Sequence, residues 1–144
     1  MTHPKDSDCI FCKIVAGEMP AAVIHEDEHL IVFLDLFPAA PGHSLIVPKP
    51  HWEDIFPLPV EYLQRVAAFS KDLAHAHMRA FDADGVAVAQ FNRAAAGQTV
   101  FHYHMHVIPR HEGKGMNFHG REQADMETLN ATAARIREAL TVSS

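Results

Sequence analysis

The sequence has little cysteine, no long apolar run and no excess of positive charge. Its two cysteines, Cys9 and Cys12, are the only ones in 144 residues. A pair this close closes no useful loop, which excludes a disulfide framework. The thiols are expected to be reduced, metal-bound or redox-active. No stretch approaches the roughly 18 apolar residues of a membrane-spanning helix. The polar start, Met1-Thr2-His3-Pro4-Lys5-Asp6, lacks the basic segment and apolar core of a secretory signal. A cytoplasmic location is expected. Twelve Lys and Arg against 18 Asp and Glu give a net charge of −6, the wrong sign for a general nucleic-acid binder. Neither nucleic acid nor membrane is expected as a partner. A small phosphate-bearing ligand stays allowed, because it needs only a few local donors.

What is present describes an ordinary globular chain: 48% hydrophobic and 21% charged residues. A chain near this length buries roughly 70% of its unfolded surface, enough for a real core. Residues 1–8 read as a frayed tail and 9–144 as one domain. The anomaly is histidine, with 12 residues. Three of them alternate, at His102, His104 and His106.

Hydrophobic periodicity supplies the elements. Residues 9–16 read as one or two helical turns, broken by Gly17 to Pro20. Val23–His25 and Leu30–Leu34 read as a hairpin across Glu26-Asp27-Glu28, and His43–Pro48 as a third strand. Gaps of three and four from Leu63 to Phe81 predict a helix within 59–82. Gly85–Gln90 and Val100–Ile108 read as strands, the second stopped by Pro109. Residues 92–99 form a small-residue loop, and 110–122 read as irregular. Met126, Leu129, Ala133, Ile136 and Leu140 mark a last helix. Short connections favour antiparallel pairing, so the class is α+β: about five strands, one long central helix and a C-terminal helix.

On a strand, residues i, i+2 and i+4 share one face. The three imidazoles are expected on one surface, with Phe101, Tyr103, Met105 and Val107 on the other. One metal held by all three is disfavoured, because His102 and His106 are about 13 Å apart on a straight strand. Neutral imidazole is a good nucleophile near pH 7. The turn Ala95-Ala96-Gly97-Gln98-Thr99 leaves backbone N–H groups for an anion. Together these form a pocket for a phosphoryl group beside an attacking nitrogen, with activity expected to titrate near neutrality.

The run Gly97-Gln98-Thr99-Val100-Phe101-His102-Tyr103-His104-Met105-His106-Val107-Ile108 resembles the signature of the histidine triad superfamily, His-φ-His-φ-His-φ-φ with φ apolar. Cys9-Ile10-Phe11-Cys12, Phe33-Leu34-Asp35 and Pro41-Gly42-His43-Ser44-Leu45-Ile46-Val47-Pro48 are similar to the small bacterial members of its Hint branch. The resemblance implies a HIT-like fold and hydrolysis or transfer at the α-phosphorus of a nucleotide, with purine conjugates such as those of AMP or GMP as partners. It implies His104 as nucleophile, His106 on a phosphate oxygen, and His43 near the phosphate and leaving group. Asp35 would take the ribose hydroxyls. Gln98 and Thr99 would contact the phosphate and the leaving atom, beside Gly97. Leu36, Phe11 and Ile24 would border the base, and a homodimer is expected. The chain departs from the family pattern where Phe91-Asn92-Arg93 replaces an Asn or Gln followed further on by Gly. Asn92 would serve the phosphate from a shifted loop.

The cysteine pair alone has three readings: two small residues in a turn, a redox pair, or half of a zinc site. The redox reading lacks a βαβ setting. A closed zinc site needs four ligands, so histidines would complete it. Resemblance to some bacterial histidine triad proteins, and to galactose-1-phosphate uridylyltransferases, implies Cys9, Cys12, His51 and His102 around a structural zinc. His77 reads as a core or interface residue. His25, His29, His75, His111 and His119 read as surface, with His111, Lys114 and His119 also able to line a pocket rim or dimer seam. Trp52 and Phe56 read as core packing. The leading function is a phosphoramidase-like nucleotide hydrolase. The alternatives are a nucleotide sensor with little turnover and a zinc-stabilised scaffold.

Overall fold

The computed structural model describes residues 5–116 and 121–141. The expectations for residues 1–4 and for His119 lie outside them. The elements run α1 (Ile10–Val15), β1 (Val23–Glu26), β2 (Leu30–Leu34), β3 (Ser44–Pro48), α2 (Val60–Phe81), β4 (Gly85–Ala89), β5 (Met105–Arg110) and α3 (Met126–Leu140). The strands form one five-stranded sheet in the order β1-β2-β3-β5-β4. Every pairing is antiparallel. The class is therefore α+β, as the sequence predicts. No helix among the described residues is long and apolar enough to cross a membrane.

Strands β2 and β3 are apolar along almost their whole length because both faces of the sheet are covered. Leu30, Val32, Leu34, Ile46 and Val107 face one side, with Val66 and Leu73 of α2 and Ala133 and Ile136 of α3. The alternate residues Ile31, Phe33, Leu45 and Val47 face the other, against Phe11 and Ile14 of α1. Each fully buried aliphatic side chain contributes roughly 1.5–3 kcal/mol. Helix α3 is capped by Asp125, whose carboxylate accepts the N–H groups of Glu127 and Thr128, the usual use of Asp at that position. Because His106 pairs with Leu45, its ring lies on the α1 side of the sheet.

Three sequence expectations need correction. The fifth strand begins at Met105, not Val100, and runs through Pro109. Arg110 O accepts from Asp84 N–H, so the strand turns that residue toward β4 and Pro109 toward β3. Pairing with β3 has already ended at Ser44↔Val107, and the missing proline N–H breaks no ladder bond. Phe101 therefore precedes the strand and is 48% exposed, while Tyr103 is buried as expected. Phe56 is exposed, not core, and lies under the Arg93 guanidinium at 4.6 Å. Trp52 does pack against the core.

His77 is a core residue, as expected. Ser44 Oγ donates to Gly42 O, so it accepts from His77 Nε2–H at 3.0 Å. This leaves Nδ1 as a buried acceptor with no partner. Burial lowers the His77 pKa from 6.5 to about 4. The unfolded chain takes up this proton near pH 6.5 and the native state only near pH 4. Stability is therefore full above pH 6.5 and declines as pH falls, by about 3 kcal/mol once both states are protonated. His77→Leu is expected to flatten this acid limb by about one proton, read as urea midpoints between pH 7 and pH 4. An unchanged slope would refute the assignment.

Candidate active site and metal centre

Backbone groups set the direction of each imidazole. His102 Nε2–H donates to Pro48 O at 2.7 Å. His104 Nδ1–H donates to His102 O at 2.7 Å. Ala39 N–H donates to His43 Nδ1 at 2.9 Å, so the neutral ring carries its proton on Nε2 and donates to His106 Nδ1 at 2.8 Å. In the neutral rings the outward atoms follow. His102 presents a bare Nδ1, His104 a bare Nε2 and His106 an Nε2–H.

Burial, helped by neighbouring positive groups, keeps these rings neutral. His43 falls to about 2, through burial and then the charges of His106 and Arg121. His106 falls to about 3, through burial and then His104. Burial lowers His104, against the opposing pull of the His102 carbonyl and Asp35. With no anion bound, desolvation moves these groups to the acid side.

His104 and His106 lie together on a cavity between α1 and the sheet, with Thr99, Asp35 and Arg121. Phe11, Ile14, Phe33 and Leu36 supply apolar walls. Ile24 does not border it; it packs on the opposite side of the sheet, because alternate strand residues face opposite ways. Asp35 Oδ1 accepts Phe37 N–H at 2.8 Å. Its Oδ2 is 3.4 Å from Arg121 Nη1 and 3.7 Å from His43 Nε2. Burial pushes the Asp35 pKa up, and the Phe37 N–H and the Arg121 guanidinium pull it back. Asp35, His43 and His106 place one donor atom each within 4.8 Å, but this is a hydrogen-bond relay. His43 Nδ1 accepts an N–H, so a neutral His43 has no lone pair on Nε2 for a metal.

The loop before the triad is braced from within. Gln98 is buried and its amide is committed: Oε1 accepts Arg93 N–H at 2.6 Å, and Nε2 donates to Glu53 O and Val100 O. Asn92 is tied to Gln90 through both amide groups and accepts Ile55 N–H at 2.8 Å. Gln98, Asn92 and Gly97 are absent from the described lining of this cavity, whereas Thr99 lines it. Gly97 takes φ 106°, which a residue without Cβ adopts freely. Arg93 has φ 76° and ψ 157°, a conformation costing a side-chain-bearing residue of order 1–3 kcal/mol. Arg93→Gly relieves this strain but loses the cation–π contact on Phe56, worth about 0.5–1 kcal/mol, and the 3.6 Å ion pair with Asp54, worth up to about 1 kcal/mol, so stability is expected to rise by less than about 1 kcal/mol. A lower urea midpoint would show that the contacts outweigh the strain.

The second cluster brings together the N-cap of α1, its first turn, the end of β3 and the approach to β5. Cys9 Sγ and Cys12 Sγ lie 3.4 and 3.6 Å from His102 Nδ1. His51 Nδ1 is 3.4 Å from Cys12 Sγ and 3.2 Å from His102 Nδ1. Zinc bond lengths and tetrahedral angles imply donor separations of about 3.3 Å for N···N and about 3.6 Å for N···S. The four donors fit one tetrahedral ion. The Pro48 carbonyl, holding His102 Nε2–H, is the outer partner such a ligand needs. His102 thus turns to the cysteines while His104 and His106 turn to the cavity, and the three rings do not share one ion.

The remaining histidines divide. His75 is exposed. His25 bonds Asp27, His29 contacts the Tyr62 hydroxyl and His111 contacts Phe81 O, all half-buried. Arg121 is the site residue that sequence reasoning missed. It sits in a stretch without periodicity, 86 positions from Asp35, and nothing local marks it.

Comparison with known proteins agrees with this geometry. The family model "HIT domain" matches residues 16–113. "Protein hit" of Bacillus subtilis is 42% identical over 111 residues, covering 77% of this chain and 76% of its own. Adenylylsulfatase HINT3 of Arabidopsis thaliana is 38% identical over 106 residues, covering 74% of this chain and 54% of its own. The crystal structure of a Zn-bound histidine triad family protein from Mycobacterium smegmatis has a TM-score of 0.82 at 38% identity, covering 92% of each chain. With the triad, the five-stranded sheet and these matches in agreement, the chain belongs to the HIT family.

Proposed function

We propose that this protein hydrolyses nucleotide conjugates at the α-phosphorus, with purine nucleoside phosphoramidates as the leading substrate class and a nucleoside monophosphate as product. The observation that carries this reading is the His104 tautomer. Its Nδ1–H is held by His102 O, so the nucleophilic lone pair is on Nε2, on a ring that lines the cavity. His104 Nε2 attacks phosphorus and forms a nucleotidyl-histidine, which water then opens. His106 Nε2–H holds a non-bridging phosphate oxygen, fixed by the chain from Ala39 through His43. Thr99 adds a hydroxyl at the phosphate. Asp35 takes the ribose hydroxyls, and the walls around Phe11 and Leu36 take the base. Gln98 and Asn92 act by shaping the loop, since their amides are bonded within the protein, and Gly97 gives that loop its turn. The adenylylsulfatase relative supports the nucleotide reading. The test is a single-turnover incubation with adenosine 5′-phosphoramidate, following AMP release by wild type and by His104→Ala.

The reading includes a structural zinc on Cys9, Cys12, His51 and His102, supported by the fit of the four donors and by the Zn-bound relative. The ion would staple α1 to the triad segment and take no part in the chemistry. It also includes a single domain from residue 9 onward, a cytoplasmic setting and a homodimer. At one sheet edge Arg137 donates to Val23 O. At the other, β4 carries Val88, 51% exposed, and is the edge best suited to a second copy.

A further inference from the structure

Arg121 belongs to no motif, yet it lines the cavity that holds His104 and His106, close enough for its charge to act on His43 and His106. Its Nη1 is 3.4 Å from Asp35 Oδ2, and the two side chains are only 18% and 14% exposed. Two ties place the pair. Ala124 N–H donates to Leu36 O at 2.7 Å, which pins the chain entering α3 against the Asp35-Leu36 corner. Asp35 Oδ1 is occupied by Phe37 N–H, so Oδ2 is the oxygen turned to the guanidinium. Arg121 is the only Lys or Arg among the described residues that line this cavity. Neutral amide donors are turned elsewhere. The Phe91 ring, which offers no donor, lies 5.3 Å from that of His106, and Asn92 is bonded to Gln90 and Ile55.

We propose that Arg121 is a specificity residue that favours nucleotides whose leaving group departs as an anion, such as sulfate, a carboxylate or a further phosphate. This rests on the nucleotide-hydrolase reading above. In the first step the His104 Nε2–phosphorus bond forms and the bond from phosphorus to the leaving oxygen breaks. The leaving oxygen keeps the electron pair, and the guanidinium stabilises that charge. In the second step water adds to phosphorus, the electron pair returns to Nε2 and the water proton passes to solvent. An amine leaving group differs, because it must gain a proton. A guanidinium stays protonated and cannot supply one. Arg121 therefore acts on one class of leaving group and not the other.

The experiment compares kcat/KM for adenosine 5′-phosphosulfate and adenosine 5′-phosphoramidate in wild type, Arg121→Gln and Arg121→Lys. The sulfate-to-amidate ratio is expected to fall about tenfold or more in Arg121→Gln and to recover in part in Arg121→Lys. An equal loss on both substrates, or an unchanged ratio, overturns the proposal and leaves Arg121 a structural partner of Asp35. A second readout needs no turnover. On a His104→Ala background, Arg121→Gln is expected to weaken ADP about tenfold more than AMP, and an equal change in both overturns the proposal. If wild type hydrolyses neither substrate, the hydrolase reading fails, and the ADP-to-AMP comparison still decides whether Arg121 recognises an anion beyond the α-phosphate.

Discussion

His104→Ala is expected to lower kcat/KM for adenosine 5′-phosphoramidate by roughly 10⁴-fold or more, the scale seen when a covalent nucleophile is removed. That loss corresponds to at least about 5 kcal/mol of transition-state stabilisation. The reason lies in how few groups compete for the role. His102 spends Nε2 on Pro48 O and turns Nδ1 to the cysteines. His106 spends Nδ1 on His43 and presents a proton, which suits a phosphate oxygen and not an attack. Only His104, of the three, presents a lone pair to the cavity. AMP should still bind the variant, because the apolar walls, Asp35 and His106 are untouched. Quenched-flow AMP release and AMP titration separate the two effects. Residual turnover within tenfold of wild type would remove His104 from the nucleophilic role, and no turnover in wild type would favour a nucleotide sensor.

Removal of the proposed zinc is expected to have the largest effect on stability. Cys9, Cys12, His51 and His102 come from three stretches of chain, of which the second and third are also tied by His102 Nε2–H to Pro48 O and Tyr103 N–H to Trp52 O. Without an ion, the bare His102 Nδ1 lies 3.2 Å from His51 Nδ1, and a single shared proton is all that can join the two rings. The Cys9 thiol is then a neutral acid, pushed up to about 11 by burial against the opposing pull of the Cys12 N–H. A bound zinc replaces both problems with four bonds and draws the thiols into the thiolate form. A loss of about 4 kcal/mol on chelation would lower Tm by roughly 10 °C for a chain of this size. Cys9→Ser should abolish zinc stoichiometry, measured by elemental analysis, and bring Tm to that of the chelated wild type. Activity should fall as well, because the carbonyl that orients His104 belongs to His102. A purified protein with no bound zinc, whose Tm ignores a strong chelator, would refute the structural-zinc reading.

The sequence made much of this legible for local reasons. The three-and-four spacing locates both α2 and α3, since a stripe of apolar side chains at that period can be buried only by a helix, although in α2 Ala67 and Met78 of the expected stripe are exposed and Tyr62 and Ala76 are buried instead. The alternation of the triad separates Tyr103 and Val107 from the histidines, because side chains in extended backbone alternate. Where reading failed, the cause was not local. Pro109 is tolerated in β5 because β3 ends two residues earlier. Phe56 is exposed and its ring meets Arg93 rather than the core, and Arg93 itself occupies a backbone region that its own side chain disfavours. Phe11 and Ile24 are both apolar, and only the sheet's two-sided burial puts one beside the cavity and the other behind it.

The sequence by itself determined most of the elements, their α+β class and the histidine-bearing segment, since each follows from residue type and spacing along the chain; the four donors around an ion were implied by the resemblance to histidine triad proteins. Tertiary structure alone decided which nitrogen of each imidazole faces outward. That choice rests on Pro48 O, His102 O and Ala39 N–H, backbone groups identical in chemistry to every other. It also decided that Arg121 meets Asp35, a contact between positions far apart in sequence that no local periodicity encodes.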